Sequence, residues 1–292
     1  GGGAVTIAGD VVFFVNFRDQ VIHRVKPGEP PEPLTEVRPW RFASIVPDDR
    51  RECLIALRES HGESGQPTNE IVAIPLDGEP VRVLASGHDF YGAPKLSPDG
   101  GALVWLTWDL PAMPWDATTL WRAEFLSDGS LGELAAVAGG IGEAVFQPEF
   151  APDGTLHFVS DRGADWWNHY VFRDGSIKVQ CRDKAEYGLP SWSLSSATYA
   201  IDEEGRLLTC RTENGLTRLG EISDGVFQPL DLPFTEFGSP SVSAGRLAVN
   251  AASATEPWRV ILVDLSTGAW ETVRRSVSEV PGKGYLSTPE PI

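Results

Sequence analysis

A serine hydrolase needs its nucleophile on a sharp strand-to-helix turn with the spacing Gly-x-Ser-x-Gly, a histidine within reach and a carboxylate behind it. That spacing occurs nowhere in this chain; the nearest string, Gly62-Glu63-Ser64-Gly65, brings its second glycine one place early. The five histidines, His23, His61, His88, His157 and His169, are scattered, and a lone strand histidine is most often a satisfied structural residue. Asp-Gly pairs recur, but at turns and without the alternating carboxylates of a calcium loop, and no glycine-rich phosphate loop is present. These patterns predict no catalytic residue, no metal site and no cofactor.

What remains is binding chemistry in two stretches that mix aromatic and charged residues. The first holds Trp108, Asp109, Met113, Trp115 and Asp116; the second holds Asp161, Arg162, Trp166, Trp167 and Asn168. Tryptophan offers a large rigid apolar surface, and Met113, the sole methionine, a flexible one, so both stretches are candidates for contact with substrate or with a partner domain. The plainer alternative is that Asp161 and Arg162 pair locally and that the tryptophans pack their own loops. Trp40, Trp105, Trp121 and Trp192 lie in or beside apolar strand-like runs, where packing is the expected role.

The elements that must position these stretches recur along the chain. In the run from Ala93 to Trp121, a short strand (Pro94 to Leu96) enters a Ser97-Pro98-Asp99-Gly100 turn, followed by a second strand (Ala102 to Trp108), a long loop and a third strand from Thr119. Proline presets φ at the second turn position and Asp-Gly supplies the reversal. A turn at Asp128-Gly129 and a strand over Gly132 to Val137 complete four strands, the signature of a propeller blade.

Six copies follow in order, over residues 1–35, 36–86, 87–139, 140–182, 183–233 and 234–276, leaving 277–292 as a linker. The fourth, with Ala151-Pro152-Asp153-Gly154, nearly restates the third; the fifth is the weakest and reads as a first strand over Ser191 to Ile201. The repeat is irregular, about 40 to 55 residues, as expected of blades whose loops vary while their strands do not. No segment sustains a helical period, which argues against βαβ architectures. An array of immunoglobulin-like sandwiches would not return the Pro-Asp-Gly turn at the same point of each unit. The expected fold is an all-β propeller of six four-stranded antiparallel blades.

With strands A to D running outward, the A–B and C–D turns share one face and the B–C loops and D–A connections share the other. The B–C loops read as the long ones: Glu59 to Asn69, Trp108 to Thr118, Asp161 to Asn168 and Ala252 to Pro257. Irregular sequence gathered on one face predicts a presenting surface.

Composition agrees. A chain of 292 residues with 41% apolar residues can bury a large core, and no run approaches the length of a spanning helix, so no membrane contact is expected. The net charge of −17 argues against nucleic acid, which needs a basic stripe. Cys53, Cys181 and Cys210 are odd in number and far apart, which fits neither a disulfide framework nor a zinc site and suggests a reducing cytoplasm. The opening Gly1-Gly2-Gly3, without initiator methionine or signal-type stretch, reads as an excised or processed piece.

Three runs carry a resemblance: LTWDLPAMPWDATTLW (Leu106 to Trp121), FQPEFAPDGTLHFVSDRGADWWN (Phe146 to Asn168) and the ending GYLSTPEPI (Gly284 to Ile292). Together they resemble the propeller half of the prolyl oligopeptidase family of serine peptidases, nearest to the bacterial dipeptidyl aminopeptidase and acylaminoacyl peptidase branch. The resemblance implies that the chain's partners are an α/β-hydrolase domain of the same polypeptide, which carries the catalytic serine, aspartate and histidine, and peptides, which the propeller filters while capping the active site. Family propellers are usually seven-bladed, which implies that the first blade is missing here.

Two functions are therefore expected. One is the non-catalytic propeller of a serine exo- or oligopeptidase, with self-association through the loop face where the hydrolase domain is absent. The other is a stand-alone propeller acting as a scaffold for protein–protein interaction.

Overall fold

The structure, a computed structural model, describes residues 2–62, 65–163 and 165–289. Glu63 and Ser64 of the near-miss nucleophile string, and Glu290, Pro291 and Ile292 of the ending, lie outside them. Among the described residues there are six four-stranded sheets and one 3-10 turn (Lys283–Tyr285). Blade one is β1 (Val5–Ala8), β2 (Val11–Val15), β3 (Ile22–Val25) and β4 (Glu32–Pro33). Blade two is β5 (Trp40–Asp48), β6 (Cys53–Ser60), β7 (Thr68–Pro75) and β8 (Arg82–Ala85). Blade three is β9 (Phe90–Leu96), β10 (Ala102–Trp108), β11 (Thr119–Glu124) and β12 (Ala135–Gly139). Blade four is β13 (Val145–Phe150), β14 (Leu156–Ser160), β15 (Asn168–Arg173) and β16 (Ser176–Cys181). Blade five is β17 (Tyr199–Ile201), β18 (Leu207–Glu213), β19 (Leu216–Ser223) and β20 (Val226–Pro229). Blade six is β21 (Glu236–Ser243), β22 (Arg246–Ser253), β23 (Glu256–Asp264) and β24 (Trp270–Arg275). Each sheet keeps its strands in chain order, so the fold is a six-bladed β-propeller of antiparallel blades.

The turn chemistry works as the residue types dictate. In blade three the Asp99 carboxylate accepts from Ser97 Oγ (2.6 Å) and from the Gly101 N–H (2.9 Å), while Gly100 takes φ = 65°. Gly154 takes φ = 83° in the matching turn of blade four, and the Asp153 carboxylate accepts from the Thr155 N–H at 2.9 Å.

A second repeated device is a left-handed residue inside the first strand: Ser44 (φ 50°), Ala93 (φ 46°), Gln147 (φ 48°) and Ser239 (φ 53°). The strand register slips beside Ser44, Ala93 and Ser239, which marks β-bulges.

By contacts the chain divides into two units, residues 1–148 with 190–196, and residues 149–189 with 197–292. In the first unit Phe13, Ile22, Phe42, Leu54 and Val72 form one buried cluster. Ile55, Ile71, Tyr91, Leu103 and Trp105 form another. In the second, Leu208, Leu219, Phe234, Leu247, Val249 and Ile261 do the same. A fully buried side chain of this size contributes about 1.5–3 kcal/mol, and the strands' alternation places such residues on the packed faces.

Three sequence expectations need correction. The first strand of blade five is only Tyr199–Ile201: residues 190–196 form turns, with the Trp192 N–H donating to Pro190 O (2.7 Å) and the Ser196 N–H to Ser193 O (3.4 Å). The Ser196 hydroxyl also donates to Ser193 O (2.9 Å), a local side-chain bond of the kind by which serine competes with a ladder. Trp192, expected to pack in a strand, is accordingly 77% exposed. Finally, the stretch from Ala252 to Pro257 is no long loop, because β22 and β23 extend to a pairing of Ser253 with Glu256.

Candidate binding site

The first aromatic loop belongs to the first unit and connects β10 to β11. Its entry is set by Trp108, whose ring stacks on Phe90 with centroids 5.4 Å apart and planes 12° from parallel. Gly92 leaves room for it, since a Cβ there would stand 3.2 Å from the indole. Next comes a set of bonds to the connection before β9. Asp109 accepts from the Asp89 N–H (2.7 Å) and lies 2.8 Å from His88 Nδ1, and Asp89 in return accepts from the Leu110 N–H (2.9 Å). Burial raises the Asp109 carboxyl, but the Asp89 N–H and His88 outweigh it and hold the group below the usual carboxylate range.

Asp116 closes the loop's own turn, accepting from the Met113 N–H (3.0 Å) while its N–H donates to Met113 O (2.9 Å). At the exit buried Thr118 anchors the chain, its hydroxyl accepting from the Val145 N–H at 2.5 Å and donating to Val145 O at 3.2 Å. Trp115 meets Trp192, ring centroids 4.3 Å apart. Between these fixed points Leu110 (59%), Met113 (38%) and Trp192 (77%) stay exposed.

The second loop, between β14 and β15, belongs to the second unit. The Arg162 N–H donates to Ser160 Oγ (3.0 Å) and Arg162 O accepts from the Tyr170 hydroxyl (2.7 Å), while Asp161 is half-buried at the end of β14. Trp166 is exposed. The Trp167 N–H donates to Glu186 Oε2 (3.0 Å), and its ring covers Gly188 so closely that a Cβ there would lie 2.2 Å away. Asn168 is fully buried: its amide donates to Trp166 O and accepts from the Asp183 N–H, both at 2.8 Å. Beneath it His169, also fully buried, bonds Thr209 Oγ1 at 2.9 Å between the edges of Tyr187 and Tyr199.

The expected residues thus fall into two groups, one per unit. In the first, Asp109 and Asp116 hold backbone while Met113 and Trp115 sit on an apolar surface. In the second, Asn168 and Trp167 fix the loop and Trp166 is presented. Sequence reasoning missed His88, Asp89 and Phe90. The signal was available: the run Ser86-Gly87-His88-Asp89 leads into the first strand at Phe90-Tyr91, and D–A connections share a face with B–C loops.

The ring neighbours of His88 are Tyr91 and Trp121, each 5.9 Å away, so the His88–Asp109 pair faces aromatic surfaces rather than a nucleophile. Two carboxylates, an imidazole and aromatic faces suit recognition of a cationic or apolar group. Among the described residues no cluster of three or more histidines, cysteines and carboxylates is placed to hold a metal ion.

No protein-family sequence profile and no curated protein sequence matches this chain. Solved structures do. A Mycobacterium tuberculosis puromycin-hydrolysing peptidase superposes on 98% of the chain with a TM-score of 0.90 and 30% identity. A puromycin hydrolase superposes on 92% with a TM-score of 0.84 and 29% identity. Prolyl oligopeptidase B from Galerina marginata, in complex with a 25-residue macrocyclisation substrate, covers 98% with a TM-score of 0.69, and at 13% identity it reports the fold alone. The chain matches the β-propeller domain of prolyl oligopeptidase family peptidases. It spans 47%, 44% and 43% of these three, roughly half of each. The Leu106 to Trp121 and Phe146 to Asn168 runs, which carry the resemblance in sequence, lie on blades three and four.

Proposed function

We propose that this chain is the non-catalytic propeller of a serine peptidase of the dipeptidyl or acylaminoacyl peptidase type, capping the active site of an α/β-hydrolase domain and filtering peptides. The observation that carries this reading is the near-complete superposition on about half of a puromycin-hydrolysing peptidase at 30% identity. The filter acts through the loop that joins Trp108 to Thr118. Asp89 and Asp109 present negative charge beside Trp108 and Trp121, which suits the ammonium of a peptide amino terminus. The Met113, Trp115 and Trp192 surface suits the hydrolase domain, and in its absence a second copy. Three buried, unpaired thiols support residence in a reducing cytoplasm.

The test is an assay of two proteins, this chain alone and the polypeptide in which it continues into a hydrolase domain. The chain alone gives no fluorophosphonate-sensitive turnover of aminoacyl or acyl-aminoacyl chromogenic substrates, and the longer polypeptide gives it. In the longer polypeptide, Asp89→Asn raises KM for free-amine substrates and leaves N-acylated ones unchanged. Turnover by the chain alone overturns the non-catalytic reading, and an equal change for both substrate types overturns the role given to Asp89.

A further inference from the structure

A cleft of about 670 Å³ opens in the second unit beside the edge strands β16 and β20, next to Asp183, whose N–H holds Asn168 of the second loop. Three arginines line it, Arg182, Arg211 and Arg218, in a chain whose net charge is −17. Arg211 is committed: its Nε donates to Asp183 Oδ2 and its Nη1 to Glu213 Oε2, both at 2.8 Å, with its guanidinium 5.6 Å from the Phe227 ring centre. Arg182 gives one N–H to the Tyr170 hydroxyl (3.1 Å) and has no ion-pair partner among the described residues. Arg218 is exposed and has no hydrogen-bond or ion-pair partner among the described residues.

An apolar wall stands beside these cations. The Phe227 ring is pressed onto Gly220, where a Cβ would lie 2.7 Å from it, so the ring cannot move inward. Leu230 and buried Leu232 continue the wall. Two guanidiniums with free N–H groups bind an oxyanion, and their planar forks match a carboxylate in particular. The neighbouring carboxylates of Asp183, Glu213 and Asp231 set the charge, because a second negative charge on the ligand would be repelled. The wall requires an apolar body beside the anion.

We propose that this cleft binds a monocarboxylate with an apolar or aromatic body, the carboxylate on Arg218 and Arg182 and the body against Phe227. The chemistry is shared by a free carboxylic acid and by the C-terminal residue of a peptide. The site is separate from the peptidase reading and does not depend on it.

Titration of the ¹⁵N-labelled chain with N-acetyl-phenylalanine, its amide, inorganic phosphate and an acetylated pentapeptide ending in phenylalanine tests the proposal. The acid gives saturable shifts at the Val226 and Phe227 amides, the amide binds at least about tenfold more weakly, and Arg218→Gln weakens the acid about tenfold, as loss of a charged hydrogen bond requires. Arg218 is exposed and unpartnered, so the variant keeps the wild-type melting temperature. A pentapeptide that binds as well as the acid identifies a chain end as the ligand, and one that fails while the acid binds identifies a small acid. Equal affinity for acid and amide, phosphate binding as tightly as the acid, or an Arg182→Gln/Arg218→Gln double variant with unchanged affinity overturns the proposal.

Discussion

His88 Nδ1 and Asp109 Oδ2 lie 2.8 Å apart, and the same carboxylate takes the Asp89 N–H, so one side chain ties the Trp108 to Thr118 loop to the connection before β9. Asp109→Ala leaves an N–H and an imidazole without this acceptor. Because the Asp109 side chain is 52% exposed, its contact with His88 is heavily screened, and the loss should be about 1 kcal/mol, mostly from the backbone bond. Urea unfolding followed by tryptophan fluorescence reads it; an unchanged midpoint would mean that the loop is held elsewhere. The pH dependence has a defined sign. Asp109 is held below the usual carboxylate range, so its contribution is complete above the unfolded carboxylate pKa of about 3.9 and fades as pH falls through its lower folded value.

Gly154 offers a test of backbone conformation free of side-chain crowding. Its φ is 83° and a Cβ would meet nothing within 4 Å, so any cost of substitution is conformational. Gly154→Val should lose roughly 1 kcal/mol or more, and Gly154→Asn clearly less, since asparagine tolerates the left-handed region. Equal melting temperatures for the two variants would remove the turn argument.

That turn was legible because proline, aspartate and glycine each announce their backbone role. The left-handed residues Ser44, Ala93, Gln147 and Ser239 were not. No residue type there signals a positive φ, and Pro94, Pro148 and Pro240 directly after three of them favour an extended predecessor. Blade five shows the same limit: Ser195 has φ = 64°, and its hydroxyl lies 3.3 Å from that of Ser44. A run that reads as a strand is thus held in turns by local bonds and by one contact distant in sequence. The candidate loops were found through their tryptophans, but their partners His88, Asp89, Glu186 and Gly188 carry no aromatic marker except position.

Gly188 is the point where the second loop is most sensitive. Trp167 occupies the space of its missing Cβ at 2.2 Å, with the indole rather than a flexible tail as the obstacle. Gly188→Ala must displace the ring or the backbone, at about 1–3 kcal/mol for overpacking. Near-ultraviolet circular dichroism should lose part of its tryptophan signal together with the drop in melting temperature. A variant with both unchanged would show that the ring does not rest there.

The surface of Leu110, Met113 and Trp192 should make the isolated chain self-associate at high concentration, since exposed apolar patches mark contact surfaces. Sedimentation equilibrium of wild type against Met113→Gln/Trp192→Ser measures it. The double variant should dissociate at least about tenfold more readily, about 1.4 kcal/mol. A wild type that is monomeric at millimolar concentration would count against this surface as an interface.

The last prediction concerns two histidines held neutral. His157 is 7% exposed and His169 fully buried. Burial lowers His157 to about 4, against a weaker upward pull from Asp153. Burial lowers His169 to about 3, with His157 adding to the fall. In the unfolded chain each ring takes a proton near pH 6.5, whereas in the folded chain it stays neutral until far lower. Their contribution is therefore complete above about pH 6.5 and is lost progressively as pH falls toward about 4 for His157 and about 3 for His169, on the order of 1 kcal/mol per pH unit for each ring. Between pH 6.5 and 5 few carboxylates titrate, and His23, His61 and His88 are common to every protein compared, so differences between the curves isolate the two buried rings. Urea unfolding across that window should show a steep slope in wild type and about half of it in His169→Phe, whose ring keeps the edge contacts with Tyr187 and Tyr199. The same reduction in His157→Gln would assign the remainder. Parallel curves for all three proteins would show that neither ring is buried neutral.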